Sequence, residues 1–82
     1  MTVIQKLINK ISENPESVRY TEIETVLLHF GFYKLQGKGS HVKFVHRDYD
    51  QKFVFAVHGN DCKNVYKRYV RNVLKNNNFL KS

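Results

Sequence analysis

Hydrophobic positions near the N-terminus recur at helical spacing: Val3, Ile4, Leu7, Ile8 and Ile11 share one stripe, with polar residues between them. The pattern predicts an amphipathic helix ending near Glu13, because Pro15 disfavours a helical conformation at Asn14. Residues 14–20 read as a connection. Thr21-Glu22-Ile23-Glu24 then has the form of a capping box, with Thr21 capping and Glu24 reaching back, and predicts a second helix. Its apolar stripe is Ile23, Val26, Leu27 and Phe30, and Gly31 supplies the left-handed residue on which such helices end.

After Gly31 the period changes to two. Three short runs, residues 32–35, 41–46 and 53–58, are separated by Gly and Asp and predict a three-stranded antiparallel meander. The last segment returns to helical spacing. Val65, Tyr66, Tyr69, Val70, Val73 and Leu74 fall on one side, and Lys63, Lys67, Arg68, Arg71 and Lys75 fall mostly on the other. This is a basic amphipathic helix whose apolar side should pack on the sheet. The order α-α-β-β-β-α, with its strands contiguous, gives an α+β fold in which the helices cover one face of a three-stranded sheet and leave the other open. A chain of 82 residues has room for one domain and one modest core.

Alternation along the strands assigns faces. Val42 and Phe44 point with His46 toward the helices, while His41, Lys43 and Val45 point to the open side. In the third strand Phe53, Phe55 and Val57 are the core set, leaving Val54, Ala56 and His58 outside. If Arg47 and Lys52 close a four-residue loop, Asp48-Tyr49-Asp50-Gln51, then Phe44 faces Phe55, Val42 faces Val57 and His41 faces His58. That register sets core opposite core and predicts two histidines side by side, with Cβ atoms roughly 4.5–5.5 Å apart and Lys43 beside them. A slip of two residues would keep the faces and separate the pair.

Charge adds a partner class. The 14 Lys and Arg residues against 7 Asp and Glu leave a net charge of +7, and the distribution is uneven. Residues 1–31 hold three basic and four acidic groups (−1), and residues 32–82 hold eleven and three (+8). So one-sided a field attracts polyanions, nucleic acid ahead of an anionic membrane. The single cysteine, Cys62, forms no internal disulfide, and neither it nor the four histidines has metal-ligand spacing, so no metal or other cofactor is expected. No signal-peptide core and no run near ~18 apolar residues is present, so a cytoplasmic protein without a membrane partner is expected.

Histidine can accept a ribose 2′-hydroxyl proton near neutral pH so that the oxygen attacks the adjacent phosphate, a reaction in which Lys38, Lys43 or the helix cations could steady the developing charge. The turn Gly37-Lys38-Gly39-Ser40 would let a sugar-phosphate backbone approach closely. Composition and spacing alone favour a plainer reading, in which the glycines only make the turn and His41 is a solvated strand residue.

Taken together in order and spacing, the motifs say more. Gly31-Phe32 ends an amphipathic helix, Gly39-Ser40-His41-Val42-Lys43-Phe44 follows, a strand ends in Val57-His58-Gly59-Asn60, and a basic helix closes the chain. Over nearly its whole length the chain resembles the HicA toxins of type II toxin-antitoxin systems. Residues 1–20 look like the extra N-terminal helix and connection of one subgroup, ahead of a shared core at 21–78.

The resemblance implies a fold like a double-stranded RNA-binding domain, a metal-independent endoribonuclease activity that cleaves mRNA, and neutralisation by a HicB-type antitoxin. The family's catalytic histidine follows Gly-Ser, a position held here by His41, the expected general base. Many members carry a second histidine directly after it, where this chain has Val42. Lys38, Gly39, Ser40, Lys43, Lys63, Lys67, Arg68 and Arg71 are the expected RNA contacts, and the strand register adds His58 as an acid for the leaving 5′-oxygen or a further RNA contact. The alternative is a non-catalytic module of the same architecture that reads duplex RNA through phosphates and 2′-hydroxyls.

Overall fold

The computed structural model describes residues 2–59, 61–77 and 79–80, which leaves Asn60 of the Val57-His58-Gly59-Asn60 motif outside the described residues. Helix α1 spans Val3–Glu13, α2 Tyr20–His29 and α3 Asn64–Asn76, and the strands are β1 (Tyr33–Gln36), β2 (His41–His46) and β3 (Tyr49–Ala56). The fold is α+β, with an antiparallel sheet in the order β1-β2-β3.

Helix α1 starts where Thr2 accepts the Gln5 N–H on its side chain and stops at Asn14, ahead of a 3₁₀ turn at Pro15–Ser17. Ile11 is buried, and Ile4, Leu7 and Ile8 pack against the core, whereas Val3 lies exposed. Pro15 and Val18 are also buried, so the connection is part of the core.

Helix α2 begins before the expected cap. Glu22, not Glu24, reaches back, its carboxylate accepting the Arg19 N–H at 3.0 Å, and Thr21 lies inside the first turn. The Tyr20 N–H donates to Asp61 Oδ1 at 3.1 Å, a capping group 41 residues away that no local pattern reveals. Glu24 instead pairs with Lys34 at 2.8 Å. The C-terminus follows expectation: Gly31 has φ of 94°, its N–H donates to Leu28 O, and the Phe32 N–H donates to Leu27 O, a Schellman closure.

The β2–β3 register corrects the sequence reading by two residues. Phe44 faces Phe53, Val42 faces Phe55 and His41 faces Ala56, so His41 and His58 are not cross-strand partners. The turn is shorter than the polar run suggests. His46 already pairs with Tyr49, leaving Arg47-Asp48 as the turn, and Asp50 and Gln51 enter β3 as extra residues at a bulge between the Val45 and His46 pairs. His46 fixes this turn: its Nδ1 accepts the Asp48 N–H at 3.0 Å, so Nε2 carries the proton and donates to Phe30 O, also at 3.0 Å. Its ring lies edge-on to Phe32 and Tyr49.

A slip of two keeps the faces. Val42, Phe44, Phe53 and Phe55 are buried beneath α2 and α3, with Tyr66 edge-on to Phe55 and Tyr69 edge-on to Phe53. Each fully buried aromatic side chain contributes about 1.5–3 kcal/mol relative to exposure. Helix α3 is rotated from expectation. Val70, Val73 and Leu74 are buried, but Val65 and Tyr69 are about half exposed, and Lys67, at 4% exposure, takes a core-side position.

Candidate functional site

The β1–β2 hairpin builds the candidate site. Gly37 donates its N–H to His41 O at 2.9 Å, and the His41 N–H donates to Lys38 O at 3.1 Å, closing a tight turn over residues 38–41 in which Gly39 has φ of 59°. His41 is exposed at the first position of β2. Its ring Nδ1 lies 3.3 Å from the same Lys38 carbonyl oxygen. A carbonyl only accepts, so Nδ1 carries the proton and the neutral ring presents the lone pair of Nε2. A side-chain bond also holds this backbone, since Gln36 Nε2 donates to His41 O at 3.1 Å.

Gly37 is tied to this geometry. A Cβ there would lie 3.1 Å from His41 O and 3.3 Å from His41 Cβ, so a larger residue would push on the histidine's own backbone.

The open face of the sheet extends from His41 in rows. His41 stands opposite Ala56, the next row is Leu35, Lys43 and Val54, and the last is Tyr33, Val45 and Lys52. Lys43 therefore lies one row from His41, as expected. Lys38, Gly39 and Ser40 form the turn beside it, and Ser40 O accepts the Val57 N–H at 2.9 Å where the ladder ends. His58 lies beyond that bond, folded into a bridge with Asp61.

The helix cations are placed differently from expectation. Helix α3 packs on the Phe53 and Phe55 side of the sheet, so Lys63, Lys67, Arg68 and Arg71 belong to the layer behind His41. Lys67 is buried, with Nζ 3.1 Å from Asp61 Oδ1, which also accepts the Tyr20 and Cys62 N–H groups. Partial burial pushes the Asp61 carboxyl up, but the Cys62 amide, the Lys67 ammonium and the Tyr20 amide outweigh it and hold the group below the usual carboxylate range. Arg68 pairs with Glu16 at 2.6 Å, Arg71 donates to Asn72, and Lys63 is exposed at the start of α3. Burial pushes the Cys62 thiol up, the opposite of what a nucleophile needs.

A family model described as the HicA toxin of bacterial toxin-antitoxin systems matches residues 20–78. The chain belongs to the HicA toxin family. It is therefore the toxin of a toxin-antitoxin pair, and an antitoxin is its partner. The match to the HicA family opens at the first residue of α2 and leaves α1 and the Pro15–Ser17 turn outside it. No curated protein and no solved structure matches the chain. Among the described residues of this HicA toxin no helix is long and apolar enough to cross a membrane, and no three His, Cys, Asp or Glu side chains gather as metal ligands.

Sequence reasoning placed Val54 on the open face but missed Tyr33 and Leu35, to which it gave no face. Tyr33, Leu35 and Val54 are 50%, 49% and 52% exposed on the same side as His41 and Lys43. Alternation is the signal that could have found Tyr33 and Leu35, since the two lie two residues apart on that face.

Proposed function

We propose that this HicA toxin is a metal-independent endoribonuclease that cleaves mRNA, with His41 as general base, and that a HicB-type antitoxin neutralises it in the cytoplasm. The observation that carries the reading is the contact between His41 Nδ1 and Lys38 O, because it leaves Nε2 as an acceptor facing solvent on the exposed side of the hairpin. Nε2 takes the proton of a ribose 2′-hydroxyl, the 2′-oxygen forms a bond to the adjacent phosphorus, and the bond from phosphorus to the 5′-oxygen breaks. The products are a 2′,3′-cyclic phosphate and a 5′-hydroxyl, the departing oxygen taking its proton from water at this exposed site. Lys43, one row away, and Lys38 in the turn offset the charge gathering on the phosphate. Gly39 and Ser40 allow close approach of the sugar-phosphate backbone.

The pairing that made His58 an attractive acid is absent, since His41 faces Ala56, and Lys67 is engaged by Asp61. Neither is assigned a role in the reaction.

The test is incubation of the purified chain with RNA in a chelator, followed by end analysis. Cyclic phosphate and 5′-hydroxyl ends that vanish with His41→Ala are expected. Salt-sensitive binding without cleavage would instead establish a non-catalytic RNA-binding module.

A further inference from the structure

The charge pairing within the molecule separates two surfaces. Glu16, Glu22, Glu24 and Asp61 each bind a cation, Arg68, Lys10, Lys34 and Lys67 respectively, and all but Lys34 belong to the helical layer and its connections. Lys43 and Lys52 on the open face form no ion pair among the described residues, and no carboxylate stands in the three rows that end at His41. The same rows present Tyr33, Leu35 and Val54, each about half exposed. Tyr33 and Leu35 are neighbours along β1 while Lys43 stands between Leu35 and Val54, so exposed apolar groups and unpaired cations alternate on one face, a mixture suited to binding.

We infer that the open face, with Tyr33 at its centre of recognition, is a stacking platform for unpaired bases of single-stranded RNA, whose backbone Lys43 and Lys52 hold while His41 meets a ribose at one end. The inference rests on the reading of His41 as the reacting group. Its chemistry selects the strand state of the substrate. A duplex turns phosphates and riboses outward and hides its base faces in the stack, so Tyr33, Leu35 and Val54 would be desolvated against it for no return. Unpaired bases offer flat faces that stack on an aromatic ring, with cations tracking the phosphates between them. Rows repeat every two residues, so the Tyr33 row lies about 13 Å along the strands from the His41 row. A strand lying across these rows carries its bases over Tyr33 and its backbone past His41. The unpaired cations would suit an acidic protein segment as well, but such a segment would leave the ring face of Tyr33 without a stacking base, which favours RNA.

The experiment measures anisotropy of the full chain with a short 2′-O-methylated RNA, which lacks the nucleophilic hydroxyl and cannot be cut, free and annealed to its complement. The single strand should bind more tightly than the duplex. Tyr33→Ala should weaken single-strand binding about 5- to 150-fold, as removal of one base stack does, with little change in its salt slope. Tyr33→Phe should restore it, and Lys43→Ala should lower the slope by about 0.7 for each phosphate that Lys43 neutralises. Unchanged thermal melting of Tyr33→Ala excludes a folding defect.

Equal affinity for strand and duplex, or wild-type affinity in Tyr33→Ala, overturns the platform. So does a Tyr33→Ala chain that keeps its RNA affinity but escapes neutralisation by the antitoxin, because the face then belongs to the protein partner. The two readings fail separately. A wild-type chain that cuts no RNA, but whose Tyr33→Ala variant loses affinity, leaves the platform standing without the ribonuclease. Cleavage that depends on His41 and ignores Tyr33 leaves the ribonuclease without the platform.

Discussion

The ring Nδ1 of His41 lies 3.3 Å from Lys38 O, the oxygen that also accepts the His41 backbone N–H at 3.1 Å. One carbonyl thus fixes both the start of β2 and the tautomer of its first side chain. His41→Ala removes the proposed base but only an exposed ring, so RNA cleavage should fall by about 10²–10⁴-fold while the thermal midpoint stays near wild type. Expression without antitoxin should then no longer arrest growth. An equally toxic variant would transfer the base role elsewhere.

Gly37 and Gly39 make a contrasting pair. A Cβ at Gly37 meets His41 backbone at 3.1 Å, but Gly37 is not in the left-handed region, so Gly37→Ala should shift His41 by tenths of an ångström. A displacement of that size should lower cleavage on the order of tenfold with little loss of stability. Gly39 has open space around it but φ of +59°, so Gly39→Ala should cost about 1–2 kcal/mol of stability, and Gly39→Asn less. Melting curves and cleavage rates for the three variants separate position from strain.

Much of this fold was legible because local rules agreed with it. The stop at Glu13, the closure on Gly31 and the faces of residues 41–46 and 53–56 followed from Pro15, from glycine's freedom and from alternation. The register was not legible, since Asp48-Tyr49-Asp50-Gln51 reads as a polar loop, and only His46, bonded at both ring nitrogens, makes Arg47-Asp48 sufficient as a turn. His58 enters the candidate site through the longer loop and leaves it with the shorter one. Charge alone points Lys67 toward RNA. Its spacing to Val70 and Leu74 already puts it on the core stripe, and Asp61, six residues earlier, is the partner that makes a lysine tolerable there. His41, Lys43 and the turn between residues 37 and 40 are legible as neighbours in space because they are neighbours in sequence.

His46 offers a direct check on the turn. His46→Phe keeps an aromatic ring against Phe32 and Tyr49 but leaves Phe30 O and the Asp48 N–H without their partner. The loss should amount to about 1–1.5 kcal/mol, and amide exchange at Asp48 should accelerate. Protection at Asp48 equal to wild type would mean that the turn closes without the histidine.

Asp61 joins three parts of the chain, the start of α2 through the Tyr20 N–H, its own loop through Cys62 and α3 through Lys67. Although partial burial pushes its carboxyl up, the Cys62 amide, Lys67 and the Tyr20 amide prevail, and its folded pKa lies below the ordinary value. The ionised form is therefore favoured by folding. Its contribution is fully present above the ordinary Asp value of about 3.9 and is lost as pH falls below it through the lowered folded value. Asp61→Asn should lose about 1–3 kcal/mol at neutral pH, since the buried Lys67 ammonium is left without its counter-charge. With the Asp61 side chain 52% exposed, solvent screening sets the loss toward the lower end. Below about pH 4 the gap between the two proteins should narrow, because the wild type has by then lost the same charge. Pairing Asp61→Asn with Lys67→Met should recover part of the loss, as replacing both ions by neutral groups removes the unpaired charge. Melting temperatures across this pH range check all three statements, and parallel acid slopes for wild type and Asp61→Asn would show that Asp61 carries none of the pH dependence.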